Sequence, residues 1–434
     1  MKDLFVSYGR RESLVFTGRL HQLVKLAGYD AWFDKVNIPD GDDYAQRISH
    51  GIESAHNFAY VMAPRCMTSP YCLIELEYAR LLGKRVIPLA QIVIFDTPAK
   101  ELSAADKQVM INFYQTYGIK GVSINTEADV LKRSHELIGR TDWIYAREEY
   151  SPEDIKAMFD WQAGYENTWF KHDSLNYLKE YKFPTFGKSI DALEGVAEAV
   201  LRLVDKHNNY VHTHTDLLQQ ALKWHKGNKE TVHLLVGAER KRAEQWILTE
   251  FEKPEQPPCS ISAFHAEFIC ESRKNAENLF TDVFISYDAE DKDLRDDVYK
   301  SLSQHLVTTW LHHKDIAKGK NFEEAIRTGI EQSKYMLFFI SNDSLQSEWC
   351  MKELEYATSL NKKIIPLLIE KLTNARLLQE NPYINKLQYI DFTNNENPID
   401  YDRDLADILK EIRTDDSYYE QHRTFLCQAL KWQR

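Results

Sequence analysis

The chain contains two copies of one sequence pattern, and this internal repeat constrains its fold more than any other feature. Asp-Leu-Phe-Val-Ser-Tyr at residues 3–8 returns as Asp-Val-Phe-Ile-Ser-Tyr at 282–287. Cys-Leu-Ile-Glu-Leu-Glu-Tyr-Ala at 72–79 returns as Cys-Met-Lys-Glu-Leu-Glu-Tyr-Ala at 350–357. Matching residues lie 279 positions apart at the first motif and 278 apart at the second. A register that shifts by one residue over this length indicates two copies of one fold.

A shorter repeat follows each copy, because the segment 214–224 resembles the segment 422–432, 208 residues later. The two repeats together predict a domain, a helical spacer, a second domain and the start of a second spacer. They also suggest that the chain is a piece of a longer protein with further domains. We place the first domain at 1–206 with an insertion at about 95–177, the spacer at 207–278, the second domain at 279–413 and the spacer-like segment at 414–434.

Short apolar runs alternate with segments of helical spacing in both copies. This alternation is typical of a parallel sheet with helices on both faces, connected by right-handed crossovers. In the first copy the fifth strand is delayed by the insertion, and the last helix is placed at 191–206. Four strands are predicted there, at 4–7, 31–33, 58–62 and 86–89.

Composition narrows the class of protein. The chain has 43% hydrophobic and 28% charged residues, as in ordinary soluble globular proteins. Its net charge of -12 and the lack of a long basic run disfavour nucleic acid as a partner. No apolar run approaches the roughly 18 residues of a membrane span. The six cysteines are scattered without a Cys-x-x-Cys pair, which predicts reduced thiols in a cytoplasmic protein and no metal site.

Three motifs occur in the same order in both copies and together carry a family resemblance. The first is Phe-Val/Ile-Ser-Tyr, the second a Trp-Ile-Gly loop, and the third Cys-x-x-Glu-Leu. Each is weak alone, but three in order, found twice, resemble the TIR domain. The likeness covers about 1–94, 180–206 and 279–413, and it implies two flavodoxin-like α/β domains joined by an α-helical spacer. The loop residues are Trp32, Ile38 and Gly41 in the first copy and Trp310, Ile316 and Gly319 in the second.

The resemblance implies one of two functions. Some TIR domains cleave the nicotinamide–ribose bond of NAD+, and bacterial examples serve antiviral defence; NAD+ is then a substrate and no cofactor is needed. Others are scaffolds that signal through TIR–TIR contacts, and the enzymatic ones are also active when assembled. In the enzymatic group one Glu is decisive, often within Trp-x-x-x-Glu. Glu353 with Trp349 matches this pattern, and Glu75 matches it with Tyr71 in place of the Trp.

A carboxylate suits this chemistry. Nicotinamide departs as a neutral molecule, so the site needs no general acid but must stabilise an oxocarbenium-like ribose. An aromatic residue four positions earlier lies on the same helical face and can stack on nicotinamide. Ligands of parallel sheets bind at the carboxyl ends of the strands. Tyr8, Gly9 and Arg10 follow the first strand and Asp34 follows the second, with Arg10 suited to a pyrophosphate.

Other interpretations stay open from the sequence. Glu75 and Glu353 are both placed in the first turn of a helix, where the helix dipole favours an acid. The Arg10–Arg11 pair also fits a solvated surface. Trp32 and Trp310 fit core or loop anchors better than ligand contacts. The copies also differ, because His312 stands where the first copy has Asp34, and Asp288-Ala289-Glu290 replaces the arginine loop. One copy has become a scaffold, or the two share a site. A pocket that binds a nucleotide derivative without turnover is a third possibility.

Overall fold

The computed structural model describes residues 1–33, 44–92, 100–139, 141–164, 179–316 and 321–433. In the first copy, strands and helices alternate as the sequence predicts. Its elements are β1 (Lys2–Ser7), α1 (Arg10–Leu26), β2 (Ala31–Trp32), α2 (Tyr44–Ser54), β3 (Ala55–Met62), α3 (Pro64–Met67), α4 (Pro70–Leu81), β4 (Arg85–Ala90), α5 (Ala104–Tyr117), α6 (Glu127–Ile138), β5 (Ile144–Tyr145), β6 (Glu148–Glu149), α7 (Pro152–Gly164), β7 (Lys188–Ser189) and α8 (Leu193–Asp205).

The first copy contains a five-stranded parallel sheet in the order β2-β1-β3-β4-β5. This order, with the first strand beside the second and third, is the flavodoxin-like one. Ser7 at the end of β1 pairs with Tyr60 of β3, and Leu89 of β4 pairs with Ile144 of β5. The carboxyl ends of β1 and β3 therefore meet at one edge, where α1 and α3 begin.

The fifth strand of the first copy lies earlier in the chain than predicted. β5 lies inside 95–177, the segment interpreted as an insertion, and pairs with β4. Helices α5 and α6 also belong to the packed domain, because Arg133 forms an ion pair of 2.7 Å with Glu77 of α4. Arg80 Nε donates to the carbonyl of Leu137 over 2.7 Å. A two-residue strand has no periodicity to recognise, so the sequence pattern could not locate it.

The second copy repeats this architecture without the long additional segment. Its sheet is parallel in the order β12-β11-β10-β8-β9, so the prediction of two five-stranded α/β domains is confirmed. The elements of the second copy are β8 (Thr281–Ser286), α12 (Lys292–Gln304), β9 (Thr309–Trp310), α13 (His312–Asp315), α14 (Phe322–Gln332), β10 (Ser333–Ile340), α15 (Glu348–Ser359), β11 (Lys363–Leu368), α16 (Arg376–Glu380), β12 (Ile390–Asp391) and α17 (Pro398–Arg413).

Helices cover both faces of each sheet. Every residue of β3 and of β10 is buried, as expected of central parallel strands. In the first copy, α1 and α8 supply one face of the core, and α4, α5 and α6 form a cluster on the other. Each fully buried Phe or Leu contributes about 1.5–3 kcal/mol to the free energy of folding, so this core holds the strand ends in fixed positions.

The segments after each copy are helical. They are α9 (Asn208–Lys226), α10 (Gly237–Ile247), α11 (Ala263–Ala276) and α18 (Asp416–Gln433). By contacts the chain divides into one unit of residues 1–222 with 251–262 and another of 223–250 with 263–434. The predicted spacer is therefore divided between the two units. Among the helices that the structure describes, none is long and apolar enough to cross a membrane.

Candidate functional site

The loop after β1 brings a glycine and two arginines to the sheet edge. Gly9 is the N-cap of α1, and a Cβ there would lie 2.8 Å from the backbone nitrogen of Cys66 in α3. A larger residue would push α1 and α3 apart. Arg10 and Arg11 form the exposed start of α1, where the helix dipole adds partial positive charge. This corner therefore favours an anion.

A buried carboxylate fixes the neighbouring helix α3. Glu12 is 8% exposed, and its side chain accepts a hydrogen bond from the backbone N–H of Arg65. Burial raises the pKa of Glu12, and this hydrogen bond acts in the opposite direction. The side chain of Arg65 itself is exposed. Glu12 thus holds the start of α3 so that a third arginine stands beside Arg10 and Arg11.

Helix α4 carries the proposed carboxylate. Ser69 caps it by accepting from the N–H of Cys72 over 3.4 Å, and Pro70 occupies the first helical position. The helix thus begins five residues before Glu75, and α15 likewise begins five residues before Glu353. Our placement of both glutamates in the first turn was wrong. Both lie in the second turn, where the helix dipole accounts for a carboxylate less well.

A cleft of about 650 Å³ brings these elements together in the first copy. Its volume lies within the usual range for small-molecule sites. Glu75 is half-buried in the wall, and Tyr71, at the same face one turn earlier, is 50% exposed. Arg11 and Arg65 also line the cleft, with Asp106 and Glu127 from the helical segment after β4. The predicted residues that line it are Tyr8, Gly9, Arg10, Tyr71 and Glu75.

The second copy places its glutamate differently. Glu353 is 2% exposed, and its Oε2 accepts a hydrogen bond from Ser286 Oγ over 2.6 Å. Its Oε1 lies 2.8 Å from His312 Nε2. In the first copy the matching hydroxyl, Ser7 Oγ, has no hydrogen-bond partner among the residues that the structure describes. Glu353 is therefore buried against Ser286 and His312, whereas Glu75 is only half-buried and lines the larger cleft.

Trp349 lies at the surface and contacts other side chains of the second copy. It is 46% exposed and meets the ring of Phe322 edge to face at 5.5 Å. The ammonium of Lys352 lies 5.1 Å from the centre of its ring. Trp349 and Glu353 line a groove of about 390 Å³ between α14 and α15. This groove is smaller than the cleft of the first copy.

The two sites differ at the positions of the three arginines. At the positions of the three arginines the second copy has Ala289, Glu290 and Asp343, all of them exposed. Asp291 follows in the same loop and accepts from Ser341 Oγ over 2.8 Å. The first copy therefore offers guanidinium groups to an anionic ligand at positions where the second copy has none, although Glu75, Asp106 and Glu127 line the same cleft as the arginines.

Sequence comparison identifies the fold family. The TIR domain family matches residues 4–120 and 283–409, which together make up more than half of the chain. The chain belongs to the TIR domain family. Its curated relatives include mouse Toll-like receptor 13, 29% identical over 134 residues, which cover 27% of this chain and 13% of that receptor. Human Toll-like receptor 1 is 35% identical over 81 residues, 18% of this chain and 10% of the receptor. The chain thus spans about a tenth of each relative's length.

Solved structures that resemble the chain are TIR domains as well. One is the TIR domain of the Toll-related receptor TRR-2 from Hydra magnipapillata, 24% identical, with a TM-score of 0.26. It aligns over 31% of this chain and 99% of its own. Another comes from the TIR domains of the activated Roq1 resistosome, which recognises the pathogen effector XopQ. It is 18% identical, covers 30% of this chain and 99% of its own, and has a TM-score of 0.26.

Five of the residues predicted for the first copy line one cleft, and their role in binding or catalysis stays a prediction. Asp34 lies outside the described residues, so its position relative to Glu75 stays a prediction. Trp32 and Trp310 are buried and stack on Phe5 at 4.4 Å and Phe284 at 4.8 Å, which confirms that they anchor the core. Arg65 was missed, although it follows β3, where the carboxyl-end rule applies as it does to β1.

Proposed function

We propose that the first TIR copy is an NAD+ glycohydrolase that uses Glu75 as its catalytic residue. The observation that carries this proposal is the cleft in which Glu75 lies together with Arg10, Arg11 and Arg65. A carboxylate for a developing cation and clustered guanidinium groups for phosphates are the two features that a dinucleotide with a cationic pyridinium requires.

The cleft suggests how NAD+ would lie in it. The pyrophosphate would take the arginines and the start of α1, because guanidinium groups and a helix N-terminus both bind phosphate oxygens. The ribose of the nicotinamide half would lie against Glu75. Tyr71, half-exposed at the same wall, would stack on the nicotinamide ring.

The reaction needs little proton transfer. The bond between ribose C1′ and the pyridinium nitrogen breaks, and its electron pair stays with nitrogen, so nicotinamide leaves neutral. The positive charge that develops at C1′ and the ring oxygen is stabilised by the Glu75 carboxylate. Water then bonds to C1′ and releases one proton, giving ADP-ribose. Attack by an adenine nitrogen of the same molecule, with loss of nicotinamide and of one proton from the adenine, would give a cyclic product.

The second TIR copy is proposed to act as a non-catalytic partner. The supporting observation is that Glu353 is buried against Ser286 and His312, with acidic residues in place of the arginines. In this scheme self-association through TIR domains activates the first copy, in the cytoplasm, as part of a larger antiviral defence protein. NAD+ is the small-molecule partner, and no cofactor, nucleic acid or membrane takes part.

Nicotinamide release measured by chromatography tests the proposal. Purified protein is incubated with NAD+ over a range of protein concentrations, and Glu75→Gln is compared with the unchanged chain. Gln keeps the shape of the side chain and removes its charge, so the proposal predicts loss of at least about a hundredfold in rate, equal to about 2.7 kcal/mol. Release by the Glu75→Gln protein at the rate of the unchanged chain would reject it.

A scaffold is the alternative function, and the engaged Glu353 favours it for the second copy. If the whole chain is a scaffold, nicotinamide is not released under any condition that produces oligomers. Light scattering would still show growth of the assemblies with protein concentration. Calorimetry with NAD+ then separates a scaffold, which binds none, from a pocket that binds without turnover.

A further inference from the structure

The helix after each TIR copy is attached in the same way. Helix α8 ends at Asp205 and α9 begins at Asn208, while α17 ends at Arg413 and α18 begins at Asp416. The turn residues His207 and Asp415, which are 208 positions apart, both have φ of 57°. This left-handed conformation is uncommon for residues other than glycine. Helices α9 and α18 are therefore equivalent in structure as well as in sequence.

Each of these helices packs against its own copy with its inner face. On α9, Thr215 Oγ1 accepts a hydrogen bond from the ammonium of Lys84 over 3.4 Å. The same ammonium donates to the carbonyls of Glu53 and Ala55. The matching Lys362 donates to the carbonyls of Glu331 and Ser333.

Helix α18 approaches the same place. Cys427 Sγ lies 3.4 Å from the Glu331 carbonyl, and the buried Arg423 donates to the carbonyl of Thr281 over 3.0 Å. The inner faces of both helices are thus occupied.

The outer faces of the two helices differ in exposure. Leu217 and Trp224 of α9 are 6% and 3% exposed. Their counterparts 208 positions later, Phe425 and Trp432 of α18, are 64% and 92% exposed. Tyr418 is 63% exposed and lies one heptad before Phe425. Residues seven positions apart lie on nearly the same side of a helix, so the three aromatic side chains form one stripe.

The first helix shows what covers such a stripe. Trp224 contacts the ring of Phe268 in α11 at 5.6 Å and the ammonium of Lys229 at 5.5 Å. Tyr210, the counterpart of Tyr418, meets Phe251 edge to face at 5.1 Å. All three of these covering residues belong to the segment 227–278, which carries α10 and α11. The equivalent residues of α18 have no such cover among the described parts of the chain.

We propose that the aromatic stripe of α18 is a docking surface for a two-helix segment of the same kind as residues 227–278. A contiguous row of exposed aromatic rings is unusual on a soluble domain and marks an interaction site. The same sequence on α9 receives aromatic and lysine side chains of such a segment. The stripe fits a partner that presents a Phe to Trp432 and a second aromatic ring to Tyr418. This proposal does not depend on NAD+ cleavage.

A chain extended by its own segment tests this inference. Because Lys226 corresponds to Arg434, residues 227–278 are appended directly after Arg434, and amide hydrogen exchange is measured over α18. The inference predicts that exchange in residues 416–433 slows by tenfold or more. Phe425→Asp with Trp432→Asp should abolish the slowing, and both residues are exposed in the unextended chain, so its fold is retained.

Lys431→Asp is the matched control, because Lys431 and its counterpart Lys223 are both exposed. It should leave the slowing intact. Unchanged exchange in the extended chain would overturn the proposal, as would slowing that survives the double substitution. Dimers of the unextended chain that dissociate on the same double substitution would also overturn it, because the occupant would then be a second copy of α18.

Discussion

At the scale of single residues, the same glutamate has two environments in one chain. Glu75 is half-buried in the wall of a 650 Å³ cleft, whereas Glu353 is 2% exposed and contacts Ser286 and His312. Glu353 would have to become accessible before it could approach a ribose, whereas Glu75 already lines the cleft. The shared motif therefore marks one candidate catalytic glutamate in each copy. The residues around each glutamate indicate which of the two can reach a substrate.

Arg65 is expected to contribute to NAD+ binding. Replacing Arg65 with Ala removes one guanidinium from the cleft, and a hydrogen bond to a charged group contributes about 1.5–3 kcal/mol. The KM for NAD+ should rise about tenfold with little change in kcat, and the effect should weaken at high salt. Asp343→Ala changes the matching residue of the second copy and should leave KM unchanged. Equal KM values for Arg65→Ala and the unchanged chain would exclude this role.

His56 is expected to make the protein less stable in acid. Burial, followed by the charges of His212, Lys84 and the N-terminus, lowers the pKa of His56 to about 4. In the unfolded chain the His56 imidazole has a pKa near 6.5. Between pH 6.5 and 4 this imidazole therefore binds more protons in the unfolded chain than in the folded protein. Stability therefore falls as pH drops through this window.

Melting temperatures between pH 7 and 4 check the contribution of His56. His56→Gln should make the melting temperature depend less on pH in this range than it does in the unchanged chain. His233→Gln is the control, because His233 is exposed. An identical pH dependence in the His56→Gln protein and the unchanged chain would contradict the assignment.

At the scale of elements, an ion pair fixes the additional helices of the first TIR copy. Glu77 of α4 is 4% exposed and pairs with Arg133 of α6. Arg133→Ala leaves this carboxylate buried without its cation and should destabilise the domain by about 2–4 kcal/mol. Thermal unfolding measures the loss.

An exposed ion pair provides the comparison. Lys300→Ala breaks the pair of Lys300 with Asp297, in which both side chains are more than half exposed. This change should lower the free energy of unfolding by less than about 0.5 kcal/mol. Similar losses for the two substitutions would show that the α4–α6 ion pair does not stabilise the domain.

The elements that the sequence predicted are those with strong periodicity or continuous apolar runs. β3 and β10 are fully buried, and their sequences contain the continuous apolar runs 58–62 and 335–340, which are easily recognised. β5 has only two residues, and its place in the sheet depends on a distant partner, β4. Arg65 was within reach of the carboxyl-end rule. The contact of His312 with Glu353 was not, because it depends on how α13, the short helix after β9, meets α15.

At the scale of the whole molecule, the duplication has produced two unequal TIR copies. One has three arginines in the wall of its cleft, and the other has Ala289, Glu290 and Asp343 at the matching positions and a buried glutamate. If assembly completes the first site, the rate of nicotinamide release per mole of protein should rise with protein concentration. Dilution should reverse the rise. A rate per mole that stays constant over a hundredfold range of concentration would exclude activation by self-association.

The most direct measurement compares nicotinamide release by two single variants under assembling conditions. Glu75→Gln and Glu353→Gln make the same chemical change at matching positions of the two TIR copies. We predict that the Glu75→Gln protein releases no nicotinamide above background. The Glu353→Gln protein should keep at least half of the rate of the unchanged chain. The opposite pattern, with activity lost only in Glu353→Gln, would contradict the assignment of the active site to the first copy.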